Sequence, residues 1–158
     1  MESQGRELEF DSFDQVLEDV QKLLANGYSA SGKWNLAQAC GHLNDWMRFP
    51  MDGYPKAPLP LRPLLWLMKV TVGRSQLERI LADGFRAKTP TMPRTVPAAD
   101  AMTDAAAVAQ FAETIHRFKV FDGPVAPSPI FAEFTLEQAR KLQLRHCAHH
   151  LSFLTPTV

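Results

Sequence analysis

Four stretches of this chain repeat their apolar residues at the period of an α-helix, and none alternates at the period of a strand. Such a chain must bury helix faces against other helices. In residues 13–25, Phe13, Val16, Leu17, Val20, Leu23 and Leu24 form one stripe, with acidic and amide residues opposite. Ser12 followed by Gln15 has capping-box spacing, and Gly27 is a C-terminal stop. In residues 36–51 the apolar face is Leu36, Ala39, Cys40, Leu43, Trp46 and Met47. Asn35 and Gln38 start that helix, and Pro50, Gly53 and Pro55 are expected to end it. Residues 104–120 bury Val108, Phe111, Ala112, Ile115 and Phe118, before Gly123, Pro124 and Pro127. Residues 136–154 follow a second capping box, Thr135 with Gln138, and stop before Pro156.

About fifty residues separate the second helix from the third. The proline-rich texts YPKAPLPLRP and TPTMPRTVP bracket this connection. Its middle, residues 64–84, predicts one or two short helices. The segment LLWLMKV is apolar nearly all round, which predicts burial under the bundle or against a second subunit. Residues 85–99 predict an extended surface loop. The expected fold is therefore all-α: a single domain over residues 1–158, with four long helices and one long crossover.

Charge and cysteine content narrow the function. The 158 residues hold 17 Lys plus Arg and 17 Asp plus Glu, with no basic run. Phosphate backbones and anionic membrane surfaces are bound by concentrated positive charge, so neither partner is expected. Cys40 and Cys147 are the only cysteines, which excludes a disulfide scaffold and a CxxC zinc module. The polar, acidic opening MESQGRELEFDSF does not predict a secretory signal. The longest apolar run, residues 64–72, is broken by Lys69 and falls short of the roughly 20 residues that span a bilayer. A soluble cytoplasmic protein acting on a small molecule is the expectation.

Five histidines carry what chemistry is legible. On the fourth helix His146 and His150 fall in the apolar arc at spacing i, i+4, so they stack one turn apart and point inward. Two imidazoles on one helix face can share a metal ion, the arrangement HExxH zinc sites use. His149 lies at the border of the arc and is the weaker ligand candidate; His42 sits at the edge of the second helix's apolar face; His116 is off the face and solvated. The competing reading is structural: buried imidazoles also persist when a water or a nearby acid satisfies their nitrogens. Gln143, one turn before His146, and Asp45, near His42, are candidates for outer-shell groups or a proton acceptor. Both cysteines fall on core faces and read as small hydrophobes, with metal ligation by one of them beside the imidazoles as the lesser alternative. There is no phosphate-binding glycine loop, no GxSxG and no HExxH, nor the paired ExxH set of di-iron bundles.

GKWNLAQACGHLNDWM, with Trp34 just before a helix and His42 within it, resembles the second-helix signature of the DinB-like superfamily. LQLRHCAHHLSFL, with His146 and His150, resembles its final HxxxH helix, and the separation of about one hundred residues matches. Branches of unknown function share the YP after the second helix and a loop like KTPTMPRTVP. The resemblance implies a four-helix bundle in up-down-down-up order. It implies a divalent metal, zinc or nickel, on His42, His146 and His150. It also implies thiol-dependent transferase or related chemistry with a low-molecular-weight thiol as cosubstrate, and a homodimer. A metal-dependent transferase or hydrolase is the first functional reading. The alternative is a non-catalytic oligomeric bundle or small-ligand carrier with structural histidines. A DNA-linked role, suggested by the superfamily's damage-inducible name, is contradicted by the charge balance.

Overall fold

The computed structural model describes residues 5–86, 91 and 93–157. Its helices begin where short polar side chains can take up the unpaired N–H groups of a first turn. The elements in order are α1 (Phe13–Asn26), β1 (Tyr28–Ala30), α2 (Leu36–Asp52), α3 (Arg62–Thr71), α4 (Gly73–Asp83), α5 (Asp104–Val120), α6 (Leu136–Leu151) and β2 (Leu154–Pro156). The capping boxes of α2, Asn35 with Gln38, and of α6, Thr135 with Gln138, both form. At α1 the Ser12 hydroxyl accepts from the Gln15 N–H. The Gln15 side chain reaches one residue further back than the motif requires, to the Asp11 N–H.

The chain is mostly helical. α1, α2, α5 and α6 pack on one another. Val16, Val20 and Leu23 of α1 meet Leu36, Cys40, Leu43 and Met47 of α2, Phe111, Ile115 and Phe118 of α5, and Cys147 and Leu151 of α6, all fully buried. A smaller cluster of Leu77, Ile80 and Leu81 from α4 with Phe131 and Leu142 holds α4 against α6. At Gly73 a Cβ would stand 2.8 Å from the Ile130 carbonyl oxygen, so glycine is what lets the start of α4 approach that loop. No helix among the described residues is long and apolar enough to cross a membrane.

Four features differ from the sequence expectations. The helix expected over 136–154 stops at Leu151, and Leu154–Pro156 turns back as a strand beside Tyr28–Ala30, antiparallel with Ala30 opposite Leu154. Three-residue strands are too short to show alternation, so nothing in the sequence marks them. The helix expected over 36–51 forms as Leu36–Asp52 and stops at Gly53, whose φ is 99°, but Pro50, named with Gly53 among its terminators, lies inside it. LLWLMKV is not buried in this chain: in α3 Leu64, Trp66, Leu67 and Val70 are each more than half exposed. Residues 85–99 are not simply a surface loop: Phe85 is half-buried, and Thr95, in a single 3₁₀ turn, is buried. Residues 87–90 and 92 of that stretch lie outside the described residues.

Pro50 also alters how α2 meets α6. Proline has no N–H, so the carbonyl four residues earlier, on Trp46, loses its helical partner. The Gln143 side-chain amide of α6 donates to that carbonyl at 3.1 Å. The gap in the α2 ladder thus becomes a cross-link between the two helices that carry the inward histidines.

Candidate metal centre

α2 contributes His42, and α6 contributes His146 and His150. His42 is 1% exposed and His146 8%, because each lies on its helix's inward arc. The Nε2 atoms of His42 and His146 are 3.2 Å apart, and those of His146 and His150 are 3.0 Å apart. All three ligand nitrogens lie within 4.8 Å of one another. Nitrogens bound at 2.0–2.1 Å to one tetrahedral ion stand about 3.3 Å from each other, close to the separations His146 makes with His42 and with His150.

The hydrogen-bond arithmetic also fits a cation. The His42 Nδ1–H donates to the Thr95 carbonyl at 3.1 Å, which leaves its Nε2 with a lone pair. His146 Nε2 must then carry the hydrogen to meet His42, and that one hydrogen must also serve His150. No set of neutral tautomers gives each of these contacts its own proton. Adding a proton is opposed by the surroundings. Burial pulls His42 down from 6.5 to about 4, against the opposing effect of the Thr95 bond. Burial, followed by the neighbouring imidazoles, depresses His146, and burial likewise depresses His150. Three neutral imidazoles converging their lone pairs are what a divalent ion requires, so these residues can hold one.

The rings are fixed from several sides. Trp34 stacks on His150 with centroids 4.9 Å apart and 13° between planes. Phe85 lies 5.1 Å from the His146 ring. The Trp46 indole N–H donates to the Thr95 hydroxyl at 3.3 Å, holding the turn whose carbonyl orients His42. Gly41 permits the approach of that loop: a Cβ there would meet Pro97 Cγ at 2.6 Å. Sequence reading missed Thr95 and Phe85. For Phe85 a signal existed, an aromatic directly after the Gly84 helix stop; Thr95 acts through its backbone carbonyl, which no side chain announces.

Other candidate residues fall as follows. His149 lies beside the cluster, its ring 4.8 Å from that of His150 and against Phe85 and Phe153, but outside the converging set. His116 is exposed. Gln143 is buried beside the histidines and lines their pocket. Asp45 does not line it; it is half-buried among grooves with Arg48, and burial raises its carboxyl above the usual range. Cys40 and Cys147 are fully buried in the main core and do not line the pocket. Burial pushes the Cys40 thiol up to about 12, with the Asp104 carboxylate adding to it. Burial raises Cys147 as well.

The family described as "Protein of unknown function (DUF1569)" matches residues 2–157. The chain belongs to this family. No curated protein and no solved structure matches it. In this DUF1569 chain both helices that bear the histidine cluster therefore lie within the matched region.

Proposed function

We propose that this chain is a DinB-like metalloenzyme: a four-helix bundle, in up-down-down-up order, whose His42, His146 and His150 bind zinc or nickel and leave a position open toward the pocket. The convergence of the three Nε2 atoms, with His42 held in one tautomer by Thr95, carries this reading. A bound divalent ion would lower the pKa of a thiol or water placed on it and polarise an electrophile. The reaction we assign is thiol-dependent transfer, with a low-molecular-weight thiol as cosubstrate and a small molecule as acceptor. The protein supplies the rest. Trp34, Trp46 and Phe85 exclude water from the rings, and Gln143 ties α2 to α6 so that the ligands keep their spacing. No carboxylate stands among the described pocket residues, which leaves His149 to accept a proton from the incoming group. The charge balance and the lack of a spanning helix among the described residues support a cytoplasmic location without nucleic-acid or membrane partners.

The test is metal content of untagged protein after incubation with zinc, nickel or cobalt. About one equivalent is expected, falling in His146→Ala and His150→Ala. On the cobalt protein a low-molecular-weight thiol should produce a thiolate-to-metal charge-transfer band. Negligible metal in every sample would reject the proposal; metal without the band would reject the thiol.

A second reading, a non-catalytic oligomeric bundle, is favoured by one observation: the uncovered row of Leu64, Trp66, Leu67 and Val70 on α3. The two readings share a homodimer joined through α3. Sedimentation should show a dimer that Trp66→Asp converts to monomer; a monomer at all concentrations would remove this surface from both.

A further inference from the structure

The pocket beside the histidines is asymmetric in charge. Its described wall holds one guanidinium, that of Arg79 on α4, and no Asp or Glu. Arg79 is half-buried and pairs with no carboxylate among the described residues; Asp83, one turn on, is exposed and stands apart from it. The rest of the described wall is mainly apolar, with Ile80, Ile130, Phe131 and Leu142, and adds the uncharged polar side chains of Tyr54, Gln76 and Thr91. At the histidine end Gln143 also lines the pocket. Its side chain is 2% exposed, its Nε2 is committed to the Trp46 carbonyl, and its Oε1 is buried without a protein partner. A buried carbonyl oxygen without a donor is costly, so an N–H or O–H is called for there, from a water or from the ligand.

We infer that this pocket binds a small organic monocarboxylate, with the carboxylate on Arg79, the hydrocarbon body on Ile80, Ile130, Phe131 and Leu142, and the opposite end beside Gln143 Oε1 and the histidines. This rests on the reading of the histidine pocket as a substrate site and gives that site its substrate class. Arginine meets a carboxylate with two parallel N–H donors, and the apolar wall weakens competition from water. A permanent cation in a described wall without acids also disfavours amines. One positive charge beside a hydrocarbon surface suits a singly charged carboxylate better than a doubly charged phosphate ester.

The experiment is calorimetric titration of the metal-free protein with hexanoate, 1-hexanol, hexylamine and hexyl phosphate, repeated with zinc added. Hexanoate should bind the metal-free protein roughly tenfold more tightly than 1-hexanol, the usual size of a charge-assisted hydrogen bond. Hexylamine should bind worst. Arg79→Gln should abolish the preference for the acid, and Arg79→Lys should restore part of it. Arg79 sits on a half-exposed helix face, so both variants are expected to keep the native circular dichroism. Equal binding of acid and alcohol overturns the inference, as does tighter binding of hexyl phosphate. A preference for the acid that arises only with zinc and survives Arg79→Gln puts the carboxylate on the ion and overturns it too, while leaving the metal reading intact. Conversely, an Arg79-dependent preference in a protein that takes up no metal supports the acid subsite and removes the metal.

Discussion

His146→Ala tests the centre at its middle ligand, because its Nε2 is the one within 3.2 Å of both neighbours. A ligand that binds only the folded state stabilises it by RT ln(1 + [L]/Kd), about 2.7 kcal/mol at a hundred times Kd. For a domain of this size each kcal/mol moves Tm by roughly 2–4 °C, so the wild-type protein should gain about 5–11 °C from zinc at that excess. Loss of an outer-shell partner typically costs 10–100-fold in metal affinity, and loss of a ligand should cost at least the upper figure. At the same zinc concentration the variant then sits near its own Kd, where the gain is about 0.4 kcal/mol and the shift under about 2 °C. The assay is thermal unfolding of untagged protein with zinc or with chelator, and exposed His116→Ala should keep the full wild-type shift. Equal shifts in wild type and His146→Ala, or no shift in wild type at millimolar zinc, would rule out a metal held by this cluster.

Other perturbations reach the same site by different routes. Gly41→Ala should displace Pro97 and with it the Thr95 carbonyl, lowering zinc affinity by roughly 10–100-fold in a competition titration while leaving the helical content unchanged. Gln143→Ala leaves the Trp46 carbonyl unpaired and should cost about 1–3 kcal/mol in urea unfolding. In a Pro50→Ala background the restored N–H takes that carbonyl, so the cost should shrink; a cycle showing no coupling would sever the link between Pro50 and Gln143. In the metal-free protein, His42 stays neutral down to about pH 4, whereas the unfolded chain takes up its proton below about 6.5. The unfolded state therefore binds more protons in that window, and stability is complete above 6.5 and falls as the pH drops toward 4. His146 and His150 act in the same direction, and a urea midpoint that does not move between pH 7 and 5 would contradict this. Both thiols should resist a disulfide reagent at pH 8 until the protein unfolds, since burial holds Cys40 near 12 and raises Cys147; rapid labelling of the native state would show that they are accessible.

The chain alone determined the helices that bear the site. Asn35 and Thr135 could be named as caps because capping is local chemistry, and the inward direction of His146 and His150 because a helix repeats every 3.6 residues. That three residues, His42, His146 and His150, belonged together was legible by resemblance, and their spacing on helices allowed it. Tertiary packing alone decided the remainder. Periodicity places a side chain on its own helix but not against another element, so the Thr95 carbonyl on His42, Phe85 on His146 and Arg79 in the pocket wall could not be read in advance. Pro50 reads locally as a stop; it stays within α2, where Gln143, ninety-three positions later in the chain, takes the carbonyl that proline leaves unpaired. The strand pair Tyr28–Ala30 with Leu154–Pro156 likewise exists only because folding brings the two segments together. The apolar α3 shows the limit from the other side: hydrophobicity marks a segment as one that gains by being covered, and only the arrangement of the whole chain shows that its own residues leave it bare.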